Sequence, residues 1–116
     1  MNYIDGFVAA VPAANKEAYL QHAANLAVIF KEYGALKNVQ AWGDDVPEGK
    51  LTSFPMAVKR EEGEVVVFTW VEWPSKAVRD AGWAKMMEDP RTTRGPALPF
   101  DGNRVIYGGF QIVMDA

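Results

Sequence analysis

One side chain in this sequence is suited to acid–base chemistry near neutral pH. His22 is the only histidine, and histidine alone has an unperturbed pKa close to neutrality. It follows Tyr19 by three residues and precedes Leu26 by four, a spacing that places it on the apolar side of a helix. This position suits a base or ligand contact in a pocket between helix and sheet. It also suits a hydrogen-bonded histidine of the core.

Two carboxylates, Asp5 and Glu72, stand alone in otherwise apolar stretches. A buried carboxylate without a partner is costly, so such positions invite a functional explanation. The two could approach each other if their strands are central neighbours. The alternative is that each is solvated near a strand end or paired with a cation.

Other polar and glycine-rich patterns do not reach the requirements of a metal or phosphate site. The loop carrying Asp44, Asp45 and Glu48 has too few oxygen ligands at regular spacing for a hard cation, which favours a solvated turn. Gly108-Gly109 does not precede a helix, so it predicts a bulge or close packing. The absence of cysteine excludes disulfides and thiolate ligands. We expect no metal and no cofactor.

Aromatic side chains supply the remaining binding candidates. Trp70, Trp73, Trp83 and Tyr107 could line a ligand pocket, although aromatic residues at core spacing more often form a core or a dimer interface. The candidate ligand-binding residues are Tyr19, His22, Trp83 and Tyr107, with Asp5 and Glu72 as candidate functional carboxylates and no catalytic residue assigned.

The elements that position these residues form one domain, residues 1–116, of the α+β class. The run from Val65 to Trp73 is apolar at odd and even positions, so both faces of this strand require burial. Further strands are predicted at Tyr3–Val11, Leu36–Trp42, Phe54–Val58 and Val105–Met114. The third of these segments, 54–58, is predicted to pair with 65–73 as a hairpin. Helices are predicted at Asn15–Tyr33, capped by Asn15, and from Ser75 to about Glu88.

The order β-α-β-(β)-β-α-β predicts a ferredoxin-like antiparallel sheet with both helices on one face. Two helices cover one face only, so the other face is expected to meet a second copy in a homodimer. Gly82 inside the second helix costs about 1 kcal/mol relative to alanine, so we expect it to mark close backbone packing.

Charge and hydropathy narrow the class of partner. The net charge is -3, and the 12 lysines and arginines are scattered, so nucleic-acid binding is not favoured, although a local basic face would be compatible with this total. No apolar run approaches the roughly 18 to 20 residues of a membrane span, and the first residues lack the pattern of a signal peptide. We expect a cytoplasmic protein with no membrane partner.

Five segments are distinctive in combination, and they are Tyr3–Phe7, Trp42–Pro47, Trp73–Lys76, Arg79–Trp83 and Ile106–Phe110. Together they resemble the bacterial YbaA-like family, a domain-of-unknown-function family placed among the dimeric α/β barrels. The resemblance covers nearly the whole chain and implies a small cytoplasmic homodimer whose sheets pack face to face. Related barrels include heme-dependent enzymes, cofactor-free monooxygenases and ligand-binding domains, so it implies no particular reaction.

Two functions remain open at this point, with a third less favoured. The first is a dimer that binds a small, partly apolar molecule between helix and sheet near His22, with or without catalysis. The second is a non-catalytic interaction or stress-related dimer whose unusual residues serve packing alone. A polar, water-accessible cavity beside His22 would favour the first, and a filled core the second. An RNA-associated protein is the third.

Overall fold

The computed structural model describes all 116 residues and contains a four-stranded antiparallel sheet with two long helices against it. The strands are β1 (Tyr3–Pro12), β2 (Lys37–Trp42), β3 (Glu64–Trp73) and β4 (Ile106–Gln111), and the helices are α1 (Lys16–Glu32), α2 (Phe54–Ala57), α3 (Lys76–Met86) and α4 (Pro90–Thr93). The strand order is β2-β3-β1-β4, so the two most apolar strands are central. None of the helices combines the length and apolar character that a membrane crossing requires.

The register between β1 and β3 assigns each residue to a face of the sheet. Ala9 lies opposite Val67, and odd-numbered residues of both strands point toward the helices because side chains alternate along a strand. On this side Ala9, Val11 and Val67 pack with Tyr19 and Ala23 of α1. Further along the same side, Val71 and Trp73 pack with side chains of both long helices, which are Ile29, Phe30 and Met86.

The long helices begin and end largely where the sequence predicts. Ser75 caps α3, because its side chain accepts a hydrogen bond from the Val78 backbone N–H at 3.2 Å. Asn15 occupies the position before α1 but makes no capping hydrogen bond. Its side-chain amide instead donates to the carbonyl oxygen of Pro99 at 2.9 Å, which ties the segment before β4 to the start of α1.

The segment 54–58 is not the predicted strand. It forms the short helix α2, whose start is set by the Ser53 side chain accepting from the Met56 N–H and by Pro55 in the first turn. The strand that pairs with β3 on this side is β2, with Val39 opposite Trp70. Val58, which follows α2, is fully buried against Val66 and its neighbours on the face away from the long helices. The chain therefore covers part of its own second face.

The rest of that second face is open to solvent and apolar. We call it the open face, and it consists of Ile4, Phe68, Trp70, Ile106, Phe110 and Ile112 around a concavity of about 450 Å³. Phe68 is 41% exposed and Phe110 is 57% exposed. Contiguous apolar surface of this kind is uncommon on a monomer.

Two glycines sit where a side chain would collide with the packing. A Cβ at Gly82 would lie 2.7 Å from the Trp73 ring and 2.8 Å from the Tyr33 carbonyl oxygen, which confirms the close approach predicted for this helix position. A Cβ at Gly109 would lie 2.8 Å from the Arg79 guanidinium. Both glycines allow α3 and β4 to approach the residues around Asp5.

Candidate ligand-binding cleft

A cleft lies between the two long helices and the helix side of the sheet, and it has two adjoining chambers. The inner chamber has a volume of about 150 Å³ and the outer chamber about 540 Å³. Six residues line both, and they are Phe7, His22, Leu26, Trp83, Phe100 and Val105. Because the chambers share these walls, they form a single cleft.

His22 lies at the junction of the two chambers. It is half-buried, its ring meets Phe100 edge-on with 6.1 Å between centroids, and neither ring nitrogen has a hydrogen-bond partner in the protein. Burial lowers the pKa of the imidazole from its usual 6.5, so the ring is neutral at pH 7.5. A neutral ring offers one donor and one acceptor to whatever occupies the cleft. The hydrogen bond that a core histidine would require is absent.

The inner chamber ends in a small polar cluster, which we call the polar end: Tyr19, Asn38, Gln40 and Thr69. The hydroxyls of Tyr19 and Thr69 both donate to Gln40 Oε1, at 2.5 Å and 2.6 Å. Gln40 Nε2 in turn donates to Asn38 Oδ1 at 2.9 Å, which leaves Asn38 Nδ2 without a protein partner. Burial raises the pKa of Tyr19, while its contact with Thr69 acts in the opposite direction, so this hydroxyl stays protonated.

The side walls of the cleft are aromatic. Trp83 of α3 meets Phe30 edge-on with 5.3 Å between ring centroids and lies 6.3 Å from Phe7. Tyr107 of β4 is 6.5 Å from Phe7 and is 78% exposed, so it forms the outer rim. The candidate residues Tyr19, His22, Trp83 and Tyr107 thus all line this cleft, at different depths.

Phe100 is a wall residue that the sequence did not single out. It lies 5.7 Å from Tyr19 by ring centroids and belongs to the Pro/Gly connection before β4, not to a helix or strand. The only sequence signal for this role of Phe100 was that it is a lone aromatic residue within such a connection. The hydrogen bond from Asn15 to Pro99 holds this segment over the cleft.

Asp5 is ion-paired and fully buried, so its role in the structure is to hold elements together. Its carboxylate accepts from the indole N–H groups of Trp73 and Trp83, at 2.9 Å and 2.8 Å, and from the Arg79 guanidinium at 2.6 Å. The carboxylate holds the pKa of Arg79 above its usual range. Arg79 also donates to Asp80 at 3.0 Å, so the charges at this end of the outer chamber are compensated.

Asp5 and Glu72 do not approach each other, although their strands are central neighbours. Asp5 pairs with Val71 and Ile4 pairs with Glu72, so the two carboxylates differ in register by one residue and face opposite sides of the sheet. Glu72 borders the open face and accepts from Asn2 Nδ2 at 2.9 Å. These two residues therefore do not form a site.

Trp70, Trp73, Trp83 and Tyr107, which could have lined a single pocket, are divided between surfaces. Trp83 and Tyr107 line the outer chamber, while Trp70 lies on the open face. Trp73 is fully buried beneath α3.

No cluster of three or more histidine and carboxylate side chains is placed to hold a metal ion.

The comparison with known proteins decides the family. A family model described as "Protein of unknown function (DUF1428)" matches residues 2–102. The chain belongs to this family. It is 59% identical over 116 residues to the "Uncharacterized protein YbaA" of Escherichia coli (strain K12), and equally to the proteins of that description from Escherichia coli O157:H7 and Shigella flexneri. Each match covers 99% of this chain and 99% of the relative, which confirms the YbaA-like resemblance.

Proposed function

We propose that this DUF1428 protein binds a small, partly apolar molecule in the cleft between its long helices and its sheet. The observation that carries the proposal is His22, which lines both chambers of a cleft walled by aromatic residues and whose ring nitrogens have no protein partner. A concave apolar site with a few convergent polar groups is the usual form of a small-molecule site. The polar groups here are His22 and the polar end.

The interaction-protein alternative requires that the unusual residues serve packing alone. Chambers of about 150 Å³ and 540 Å³ beside His22 are not the filled core that this alternative needs. Asp5 does serve packing, since its carboxylate is occupied by two indoles and a guanidinium. His22 has no corresponding partner, and it is this difference that favours ligand binding.

The same proposal includes a cytoplasmic homodimer of the dimeric α/β barrel type, joined through the open face. The strand order β2-β3-β1-β4 with the long helices on one face supports a ferredoxin-like arrangement. Phe68, Trp70 and Phe110 supply apolar side chains on the opposite face, which a second sheet would cover. Covering it would leave the cleft of each copy facing outward.

The test uses the four tryptophan indole N–H signals of ¹⁵N-tryptophan-labelled protein. Trp83 reports on the cleft, Trp70 on the open face, and the fully buried Trp73 on the fold as a whole. A library of small, partly apolar fragments at about 1 mM should contain compounds that shift Trp83 and leave Trp73 in place. His22→Ala should weaken such a fragment at least about fivefold, the scale of one hydrogen bond.

The matched control is Gln21→Ala, since Gln21 lies on the exposed side of α1 next to His22 and bonds only to Asn25. It should leave fragment affinity and melting temperature unchanged. A library in which every binding fragment moves only Trp70, or in which none moves Trp83, would overturn the proposal. So would a His22→Ala protein that stays folded and binds with unchanged affinity.

A further inference from the structure

We propose that the ligand of the cleft is an uncharged aromatic molecule with an oxygen substituent on the ring, of the phenol or naphthol class, with that ring seated in the inner chamber. This inference rests on the proposed function and names the chemical class of the ligand. Four features of the cleft support it, and they are the size of the inner chamber, the character of its walls, the hydrogen-bonding groups at its end and the balance of charge.

The inner chamber has the size of one aromatic ring. An apolar cavity of about 150 Å³ in a protein core is known to bind benzene, and the inner chamber has a volume of about 150 Å³. The outer chamber, at about 540 Å³, falls within the about 300 to 1,000 Å³ of ordinary ligand pockets. A ligand with one ring in the inner chamber therefore has room for a second ring or a substituent in the outer one.

The walls match a flat π-system better than an aliphatic ring. Trp83 and Phe30 are perpendicular, with an interplanar angle of 87°, and Phe100 is tilted at 57° to Tyr19. Aromatic rings favour such tilted and edge-to-face contacts at centroid separations of about 4.5 to 7 Å. A ligand ring inserted among these side chains would make contacts of the same kind on several sides, whereas a saturated ring of equal size would lack the ring quadrupole.

The polar end has a donor available for an oxygen atom of the ligand. Gln40 Oε1 already accepts from two hydroxyls, so its acceptor capacity is used. Asn38 Nδ2 has no protein partner, and it lines the same chamber. An oxygen substituent on the inserted ring can accept from Asn38 Nδ2, and a ring without one would not gain this hydrogen bond.

The charge balance of the cleft disfavours an ion. Asp5 and Arg79 are the only carboxylate and guanidinium that line either chamber, and they are bonded to each other. Asp80 further compensates Arg79. A carboxylate or ammonium group on the ligand would lose its hydration without gaining an opposite charge, so an uncharged molecule is preferred.

The experiment compares three small probes at pH 7.5 by titration of the indole signals of the intact protein. Phenol carries the ring and the oxygen, cyclohexanol has the oxygen without the π-system, and benzoate has the ring with a negative charge. We expect phenol to shift Trp83 with a dissociation constant at least tenfold lower than that of either of the other two. Trp73 should not move, because it is fully buried.

Two variants localise the ring. Ala23 of α1 is buried and lines the inner chamber only, so Ala23→Leu should fill the chamber and abolish phenol binding. Asn38→Ala should weaken phenol binding at least fivefold while leaving benzene affinity within twofold of the wild type, a pattern that general unfolding would not produce. The Asn38→Ala measurement therefore decides the question even if Ala23→Leu does not fold. Gln21→Ala is again the exposed control and should change neither affinity.

The outcomes separate this inference from the proposal on which it rests. If benzoate or cyclohexanol shifts Trp83 as tightly as phenol, or if Asn38→Ala leaves phenol affinity unchanged, the assigned ligand class is wrong and the cleft remains a binding site. If library fragments move Trp83 while phenol does not, the inference fails in the same way. If neither the three probes nor any library fragment shifts the indole signal of Trp83, both the assigned ligand class and the proposed ligand-binding function are overturned.

Discussion

The buried carboxylate of Asp5 connects three elements, and its removal is the sharpest test of how this fold is held together. Asp5 is 3% exposed on β1 and bonds to Trp73 on β3 and to Trp83 and Arg79 on α3. Asp5→Ala would leave two indole N–H groups and a guanidinium without their common acceptor. No other side chain in the structure is bonded to either indole.

The magnitude follows from the burial of these groups. Removing one partner of a buried ion pair costs about 3 to 5 kcal/mol, because the other charge remains in place. The Arg79 side chain retains 23% exposure, so water recovers part of its loss. The two orphaned indole donors add to the cost, since hydrogen bonds to charged groups are each worth about 1.5 to 3 kcal/mol. We expect Asp5→Ala to lower the free energy of unfolding by about 3 to 5 kcal/mol.

Urea unfolding at pH 7.5, followed by circular dichroism and by tryptophan fluorescence, measures this loss. A domain of ordinary stability has about 5 to 15 kcal/mol in total, so the variant should be marginally folded. Asp80→Ala is the matched control, because it removes the exposed carboxylate on the same arginine, and its midpoint should not move. Asp5→Asn keeps the side-chain volume and one acceptor oxygen, so its loss of stability should lie between those of Asp5→Ala and Asp80→Ala. An Asp5→Ala loss below about 1 kcal/mol would refute the argument that buried pairing dominates here.

Three further predictions concern the cleft, the open face and the second long helix. The folded-state pKa of His22 lies below its ordinary value of 6.5, so the unfolded chain binds more protons than the folded chain as the pH falls through 6.5. Between pH 7.5 and pH 5.5 the free energy of unfolding of the wild type should therefore fall by more than that of His22→Gln. Equal falls for the two proteins, measured by urea unfolding, would contradict this prediction. A dimer joined through the open face should bury about 1,200 to 2,000 Å², the range of stable interfaces. Trp70→Glu should therefore reduce the mass measured by light scattering from about twice 12.8 kDa to that of the monomer. The control Leu51→Glu, at a 95% exposed position, should leave the mass unchanged. A wild type that is monomeric at micromolar concentration would reject the dimer. Gly82→Ala should destabilise the protein by about 1 to 2 kcal/mol. Overpacking against Trp73 costs about 1 to 3 kcal/mol, which exceeds the helix-propensity gain of about 1 kcal/mol. A higher melting temperature for the variant in thermal denaturation would contradict this prediction.

The strands and long helices were predictable because their apolar residues repeat at clear periods. The strand β1, at Tyr3–Pro12, ends one residue later than predicted, and the helix α1, at Lys16–Glu32, is one residue shorter than predicted at each end. The error at 54–58 arose because a short apolar run does not distinguish a strand from a helix. Ser53 followed by Pro55 is a helix-start signal, and it outweighs the apolar pattern there.

The candidate cleft was predictable only where helical spacing carries the information. Tyr19 and His22 lie three residues apart on α1, so their common direction could be inferred from the sequence. The pairing of Tyr19 with Gln40 and Thr69 depends on how β2 and β3 align beneath α1, which no local pattern encodes. The same is true of Asp5 and Glu72, whose separation depends on the parity of the register. Local periodicity thus identifies an element's faces, and the tertiary alignment decides which residues meet.

The alternation along β1 has a consequence for how this chain can vary in length. Asp5, Phe7 and Ala9 line or border the cleft, while Ile4, Gly6 and Val8 belong to the opposite surface. An insertion or deletion of one residue in β1 would exchange these two sets downstream of the change, so it would damage both surfaces at once. The number of residues in this strand is therefore constrained separately from their identities. Length variation among relatives should therefore concentrate in the connection from Asp44 to Thr52, which lies between the last residues bonded to β3 and the cap of α2.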